Sequence, residues 1–333
     1  MRKSSIPLRA DSRKDDRGRS GKDYLIVGII LFLYLLLALL VFDPRLHTGG
    51  DNAHYICLAR SILSGKGYRE IYKPGEPPHT LYPFGYPLLL APVISLFKSS
   101  FVALKILSLL FGACSVLLVY MLLENRCGRL CLYAVVGLFA VSPLLLEYSH
   151  YVLSDSSFTF FSLLSLFLFR RAELDLRRFP PLLWASVVCA VFTYYIRPIG
   201  ASLFLGVLLY FVVRKQLKKV MFALAIVVIL VLPWSVRNAR VPGGSGYFAP
   251  FILKNPYDLE SGTISTKDFR QRLKSNSEAY LLINFPKTVF SMHKKLWPGA
   301  KRRWDMYSFG VLLSGVMLLG FIRELRQRLE LPH

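Results

Sequence analysis

The longest uncharged apolar run starts at Tyr24, where "YLIVGIILFLYLLLALLVF" holds 19 residues. At about 1.5 Å per residue it is long enough to cross a ~30 Å hydrocarbon layer. Further apolar runs follow at 102–123, 130–147, 153–170, 181–196, 198–213, 218–235 and 306–322, so the pattern predicts eight spanning helices. A shorter stretch, "GYPLLLAPVISLFKSS" at 85–100, is interrupted by Pro87 and Pro92 and predicts an interfacial or re-entrant helix instead. Between the first two spans, residues 51–65 carry apolar positions at helical spacing, Tyr55, Leu58, Ala59, Ile62 and Leu63, as an amphipathic helix at the membrane surface would.

The polar intervals then set the orientation. With eight spans, the basic N-terminal tail, "NRCGR" (125–129), "RRAELDLRR" (170–178), "RKQLKK" (214–219) and "RELRQR" (323–328) fall on one side, which the positive-inside rule makes cytoplasmic. Counting residues 85–100 as a span would separate the tail from the other clusters. The expected organisation is a disordered basic tail (1–23) and a transmembrane core (24–235), its first helix retained rather than cleaved, with a long outer loop at 43–101. A second outer loop (236–305), a last span (306–323) and a short cytoplasmic tail (324–333) complete it. The fold class is all-α: a polytopic membrane protein with about eight transmembrane helices and amphipathic interfacial helices in its first outer loop. Any chemistry belongs to the outer loops, because every cytoplasmic loop is short.

Composition supports the membrane reading, with 54% hydrophobic and 14% aromatic residues. The net charge of +22 would suggest nucleic acid in a soluble chain. Here the basic residues border apolar runs and report orientation and anionic lipid headgroups, so no nucleic-acid partner is expected. Five scattered cysteines lack metal-ligand spacing. Without a Gly-rich phosphate loop or a soluble cytoplasmic domain, a nucleotide-sugar donor is a poor fit.

Several polar residues stand where the chain leaves the bilayer. Asp51, in "GGDNAHY", reads either as the N-cap of the helix after it or as a carboxylate placed to accept a hydroxyl proton. Both roles can hold together. Asp155, in "SDSSF", opens the fourth span, where an ionised carboxylate must face water, a cavity or a cation; a cap is the plainer role. Arg197, in "YYIRPIG", can reach lipid phosphate in the membrane or the phosphate of a bound substrate. Arg237 and Asn238 stand at the outer end of the seventh span, and Arg60, Lys73, His54 and His79 lie in the first loop. Trp234, Trp297, Trp304 and Tyr307 read as an interfacial aromatic belt.

Taken in order, "GGDNAHY", "YPFGYPLLLAPVISLF", "SDSSF", "YYIRPIG" and "LPWSVRNARVPGG" resemble the type-C membrane glycosyltransferases, GT-C. The resemblance is to the bacterial branch similar to protein O-mannosyltransferases and to the aminoarabinose transferases of lipid A. It implies an inverting transfer of sugar from a polyprenyl-phosphate-linked donor to a hydroxyl of a cell-envelope lipid, glycan or protein, at the periplasmic face of a bacterial inner membrane. By the same resemblance Asp51 is the general base, Asp155 the second acidic position and Arg197 a donor-phosphate ligand. Arg60 and Arg237 are further phosphate candidates, while His54, Tyr82 and Asn238 are candidate acceptor or sugar contacts. Two departures stand out: Asn52 follows Asp51 where some relatives have Glu, and Tyr82 precedes Pro83 where some have a phosphate-binding lysine. No cofactor is expected; a divalent ion between Asp51 and Asp155 is left unassigned. A non-catalytic scaffold and a lipid-linked-sugar flippase are the rival readings, the latter disfavoured by spans that are apolar through their middles.

Overall fold

The computed structural model describes residues 21–47, 49–98, 100–174, 180–241, 252–255, 258–284, 311–320 and 322–323. Within them the chain is almost wholly helical. The helices are α1 (Gly21–Val41), α2 (Asn52–Leu63), α3 (Gly85–Phe97), α4 (Phe101–Leu123), α5 (Arg129–Ala140), α6 (Pro143–Tyr148), α7 (Asp155–Leu174), α8 (Pro180–Ile196), α9 (Ala201–Val213) and α10 (Leu217–Ala239). A two-stranded antiparallel ribbon, β1 (Leu253–Asn255) with β2 (Asp258–Thr263), then leads to α11 (Thr266–Glu278) and to an apolar helix α12 (Val311–Gly320). The architecture is that of an all-α membrane protein.

Among the described residues three helices, α1, α4 and α10, are long and apolar enough to cross a membrane. The others expected to span are shorter or carry charge: α7 has 20 residues but bears Asp155 at its start and Arg170, Arg171 and Glu173 near its end. The run at 130–147 is not one helix. It breaks at Val141–Ser142, because Pro143 has no N–H to continue the ladder and instead starts α6. Residues 85–97 form a 13-residue helix, about 20 Å long and short of a hydrocarbon layer. The ribbon β1–β2 was not anticipated in the second outer loop, which also holds α11, closed at its start by a Ser265–Asp268 capping box. Trp297, Trp304, Tyr307 and the basic stretch around them lie outside the described residues.

Contacts at the helix ends sort the bundle into two poles. At one, Arg129 pairs with Asp23 at 3.4 Å, Arg170 donates to the carbonyls of Leu122 and Glu124, and the Tyr210 hydroxyl meets Glu173. The ends of α4, α7 and α9 therefore gather there, with the start of α5. At the opposite pole α1 ends, α4 and α7 begin, and α8 and α10 finish. Buried Lys105, near the start of α4, donates there to the carbonyls of Asp43 and Arg45, which closes the turn after α1.

Three apolar clusters hold these elements. One joins α1, α4, α5 and α6 through Tyr34, Val116, Val136 and Ala140; a second joins α7 to α10 through Val187, Ala190, Val207 and Phe211. The third packs α2 on α3 through Tyr55, Ala59, Tyr86 and Leu90, with Leu104, Val152 and Ile196 beneath them. This last cluster anchors the first loop to the second pole. Its tightest point is Gly85: a Cβ there would lie 2.5 Å from the Tyr195 carbonyl oxygen and 2.6 Å from the carbonyl carbon. Gly85→Ala must push α3 away from α8, and overpacking of this kind costs about 1–3 kcal/mol. A melting temperature clearly below wild type in detergent is the expected result; an unchanged one would mean that α3 and α8 do not approach so closely.

Candidate active site

The first loop reaches the second pole by way of a short hairpin. In "KPGEPPH" a turn over Lys73–Glu76, with Pro74 second and Gly75 third at φ +74, returns the chain so that the Glu70 N–H donates to the Pro77 carbonyl at 2.9 Å and the His79 N–H to the Tyr68 carbonyl at 3.0 Å. Proline fixes φ at the second position and glycine supplies the left-handed third. The result brings Glu70 beside His79.

Asp51 stands at the N-cap position of α2, yet its side chain makes no capping hydrogen bond. This differs from the expectation that cap and chemistry coincide. Its Oδ1 instead accepts from the Tyr82 hydroxyl at 2.8 Å, which holds the carboxylate toward the first loop. Asn52, next in the chain, ties the start of α2 to the turn before α7: its amide donates to the Gly49 carbonyl at 2.7 Å, and its oxygen accepts the Val152 N–H at 2.8 Å. Where some relatives place a second carboxylate, this chain has a buried structural bridge.

Asp155, the first residue of α7, is held by a cation. Arg197, delivered by the break at Pro198 after α8, grips it with both terminal nitrogens at 2.8 and 3.2 Å and donates from Nε to Ser154 at 3.0 Å. Such a fork fixes the guanidinium plane and leaves one N–H on each terminal nitrogen for another acceptor. The Tyr55 hydroxyl reaches Ser154 at 3.4 Å, linking α2 to this pair, and burial pushes that phenol up to about 12, so it stays protonated. Arg197, Asp51 and Asp155 each act electrostatically on the Tyr55 hydroxyl.

The other candidates divide. Arg237, at the end of α10, donates to the carbonyls of His79 and Tyr68 and to the side chain of Asn238, and it lies over the Trp234 ring at 5.0 Å. Its donors thus clamp the first loop to α10, with Asn238 as part of the clamp. Arg60 is exposed on the third turn of α2, away from the groups gathered round Tyr55. His54 accepts or donates at 2.6 Å to the Tyr72 hydroxyl and packs edge-on against Tyr82.

Among the described residues, His54, Glu70 and His79 form a group whose ligand atoms lie within 4.8 Å of one another. The hydrogen bonds argue against a cation there. His79 Nε2 accepts the Tyr82 N–H at 2.8 Å, so the ring proton sits on Nδ1 and points at Glu70 at 2.8 Å. The other Glu70 oxygen pairs with Lys73. Burial alone would raise the Glu70 carboxyl, but Lys73 and His79 outweigh it and hold it below the ordinary range.

Burial is also what depresses His79, from an ordinary 6.5 to about 4, with Glu70 pulling the other way. The folded state thus prefers the neutral ring, and the unfolded chain binds more protons in between. Stability from this group is complete above pH 6.5 and falls as the pH drops from about 6.5 to about 4, by up to roughly 3 kcal/mol. Protease sensitivity of residues 66–82 should rise over that interval and stay flatter in His79→Gln. An equally steep rise in the variant would assign the effect to other groups.

An apolar cavity of about 520 Å³ opens between α5, α6 and α7, walled by Leu138, Phe139, Leu145 and Tyr148, with Asp155 and Ser156 at its polar edge. Its apolar wall and single charged margin suit a ligand with a hydrocarbon body and a polar head. Residues 82–236, the stretch that builds this cavity and the Asp155–Arg197 pair, match the family model described as dolichyl-phosphate-mannose-protein mannosyltransferase. That stretch is therefore similar to the core of a GT-C-like membrane glycosyltransferase. The match covers just under half of the chain; it begins at Tyr82, so Asp51, Glu70 and His79 lie before it. No curated protein and no solved structure matches the chain.

Sequence reasoning had no signal for the Glu70–His79 pair beyond the Pro-Gly turn between them. Asn52 was visible only as a departure from relatives, and Ser154 as one serine among several.

Proposed function

We propose that the protein moves a sugar from a polyprenyl-phosphate-linked donor to an acceptor hydroxyl at the second pole of the bundle, on the outer, periplasmic face of a bacterial inner membrane. The observation that carries this reading is the Asp51 carboxylate, held by Tyr82 instead of capping α2, at the same pole as the Arg197–Asp155 fork. Asp51 accepts the proton of the acceptor hydroxyl as its oxygen forms a bond to the anomeric carbon. The bond from that carbon to the phosphate oxygen breaks in the same displacement, inverting the centre and releasing polyprenyl phosphate. The leaving oxygen gains negative charge, which the two remaining Arg197 N–H groups stabilise. The cavity beside Asp155 receives the first part of the polyprenyl chain, which keeps the donor phosphate at the membrane boundary.

Donor class tests this reading. Purified protein in liposomes, given envelope extract as acceptor, should transfer label from polyprenyl-phosphate sugars and not from nucleotide sugars. Transfer from a nucleotide sugar without a lipid intermediate would overturn it. Sidedness is tested at Ala53, exposed beside Asp51: a cysteine placed there should react with a membrane-impermeant maleimide added outside intact spheroplasts. Labelling only after lysis would put the site on the other face.

A further inference from the structure

We propose that Tyr82 is a positioning residue that keeps the Asp51 carboxylate off the N-terminus of α2, and that the Glu70–His79 pair fixes Tyr82 for that task. The inference rests on the reading of Asp51 as the base. Its starting point is a missing interaction. Aspartate is among the best N-cap residues, and the first N–H groups of α2 have no partner within the helix. Turned to those donors, the carboxylate would direct lone pairs at the helix and away from the acceptor hydroxyl. In this protein it does not turn: the Tyr82 hydroxyl holds it at 2.8 Å.

Tyr82 can compete because it is itself immobilised. Its N–H donates to His79 Nε2, its ring stacks on the His79 ring at 5.2 Å, and its carbonyl and that of Pro83 both accept from the Tyr68 hydroxyl at 3.0 and 3.1 Å. The bond from the Tyr82 N–H requires a bare Nε2. Glu70, by taking the proton on Nδ1, selects that tautomer. Lys73 holds the second oxygen of Glu70, and Arg237 holds the His79 carbonyl, so the chain of contacts runs from α10 to the base.

The test combines three variants with a readout independent of activity. Tyr82→Phe removes one oxygen and retains the ring contacts. Released from it, Asp51 should cap α2, and hydrogen exchange at the Ala53 and His54 amides should slow about fivefold, the worth of a typical cap. A tyrosine serving only to stiffen the loop would, on removal, speed that exchange. In lipid-linked transfer Tyr82→Phe and His79→Leu should lower kcat about 10- to 100-fold with donor KM unchanged. His79→Gln, whose amide can accept from the Tyr82 N–H and donate to Glu70, should stay within about threefold of wild type. Tyr82→Phe added to Asp51→Asn should cause no further loss, since both act through one group. Unchanged or faster exchange in Tyr82→Phe, with wild-type kcat, would overturn the positioning role and leave Asp51 as base. Wild-type transfer by Asp51→Asn would overturn both.

Discussion

Asp51→Asn should leave a folded protein that has lost transfer by about 10²- to 10⁴-fold, the usual contribution of a positioned general base. Two features make the fold indifferent to the change. The carboxylate makes no cap bond that the helix would lose, and the asparagine side-chain oxygen can still accept from the Tyr82 hydroxyl. What disappears is the capacity to take up a proton at the site. The check is an initial rate from lipid-linked donor, measured on variant protein whose melting temperature matches wild type. A purely structural Asp51 predicts near-normal rates, because nothing in the local hydrogen bonding would be lost.

Arg197→Ala is the second large effect. Arg197 holds both oxygens of Asp155 and the hydroxyl of Ser154, so its removal leaves a carboxylate facing an apolar cavity without its cation. The arginine side chain is 41% exposed, so water softens the stability loss and the main consequence falls on function. Loss of charge-assisted bonds to a developing phosphate should reduce transfer about 100-fold and weaken donor binding. Arg197→Lys should recover little, because a single ammonium cannot grip two carboxylate oxygens and a hydroxyl while meeting a phosphate. Donor affinity and kcat measured together test this. Wild-type affinity in Arg197→Ala would remove the phosphate role, and unchanged kcat would remove the arginine from the site.

The parts legible in the sequence were those written as periodicity and charge. The apolar runs at 24–42, 102–123 and 218–235 are, among the described residues, the three helices both long and apolar enough to span, and the ends of α4, α7 and α9 gather at the pole opposite Asp51. Hydrophobicity alone missed the break before Pro143, because the residues on both sides are equally apolar and only the lost N–H marks it. The candidate list placed Asp51, Asp155 and Arg197 at one face without showing who holds whom. A cap is a local inference, and at Asp51 the carboxylate makes none and bonds a hydroxyl 31 residues away. Arg237 shows the same limit: charge and position suggested phosphate, whereas three oxygens of the protein itself occupy its donors. Pairings such as Glu70 with His79 depend on the turn between them closing, which a single sequence records only as Pro-Gly.

The most direct measurement is a single-turnover reaction with purified protein in liposomes, a polyprenyl-phosphate donor labelled in its sugar, and an acceptor fraction from the cell envelope. The account predicts that label leaves the lipid for the acceptor with wild-type protein and remains on the lipid with folded Asp51→Asn. Label that moves equally with both proteins, or with neither while the donor is bound, would contradict it.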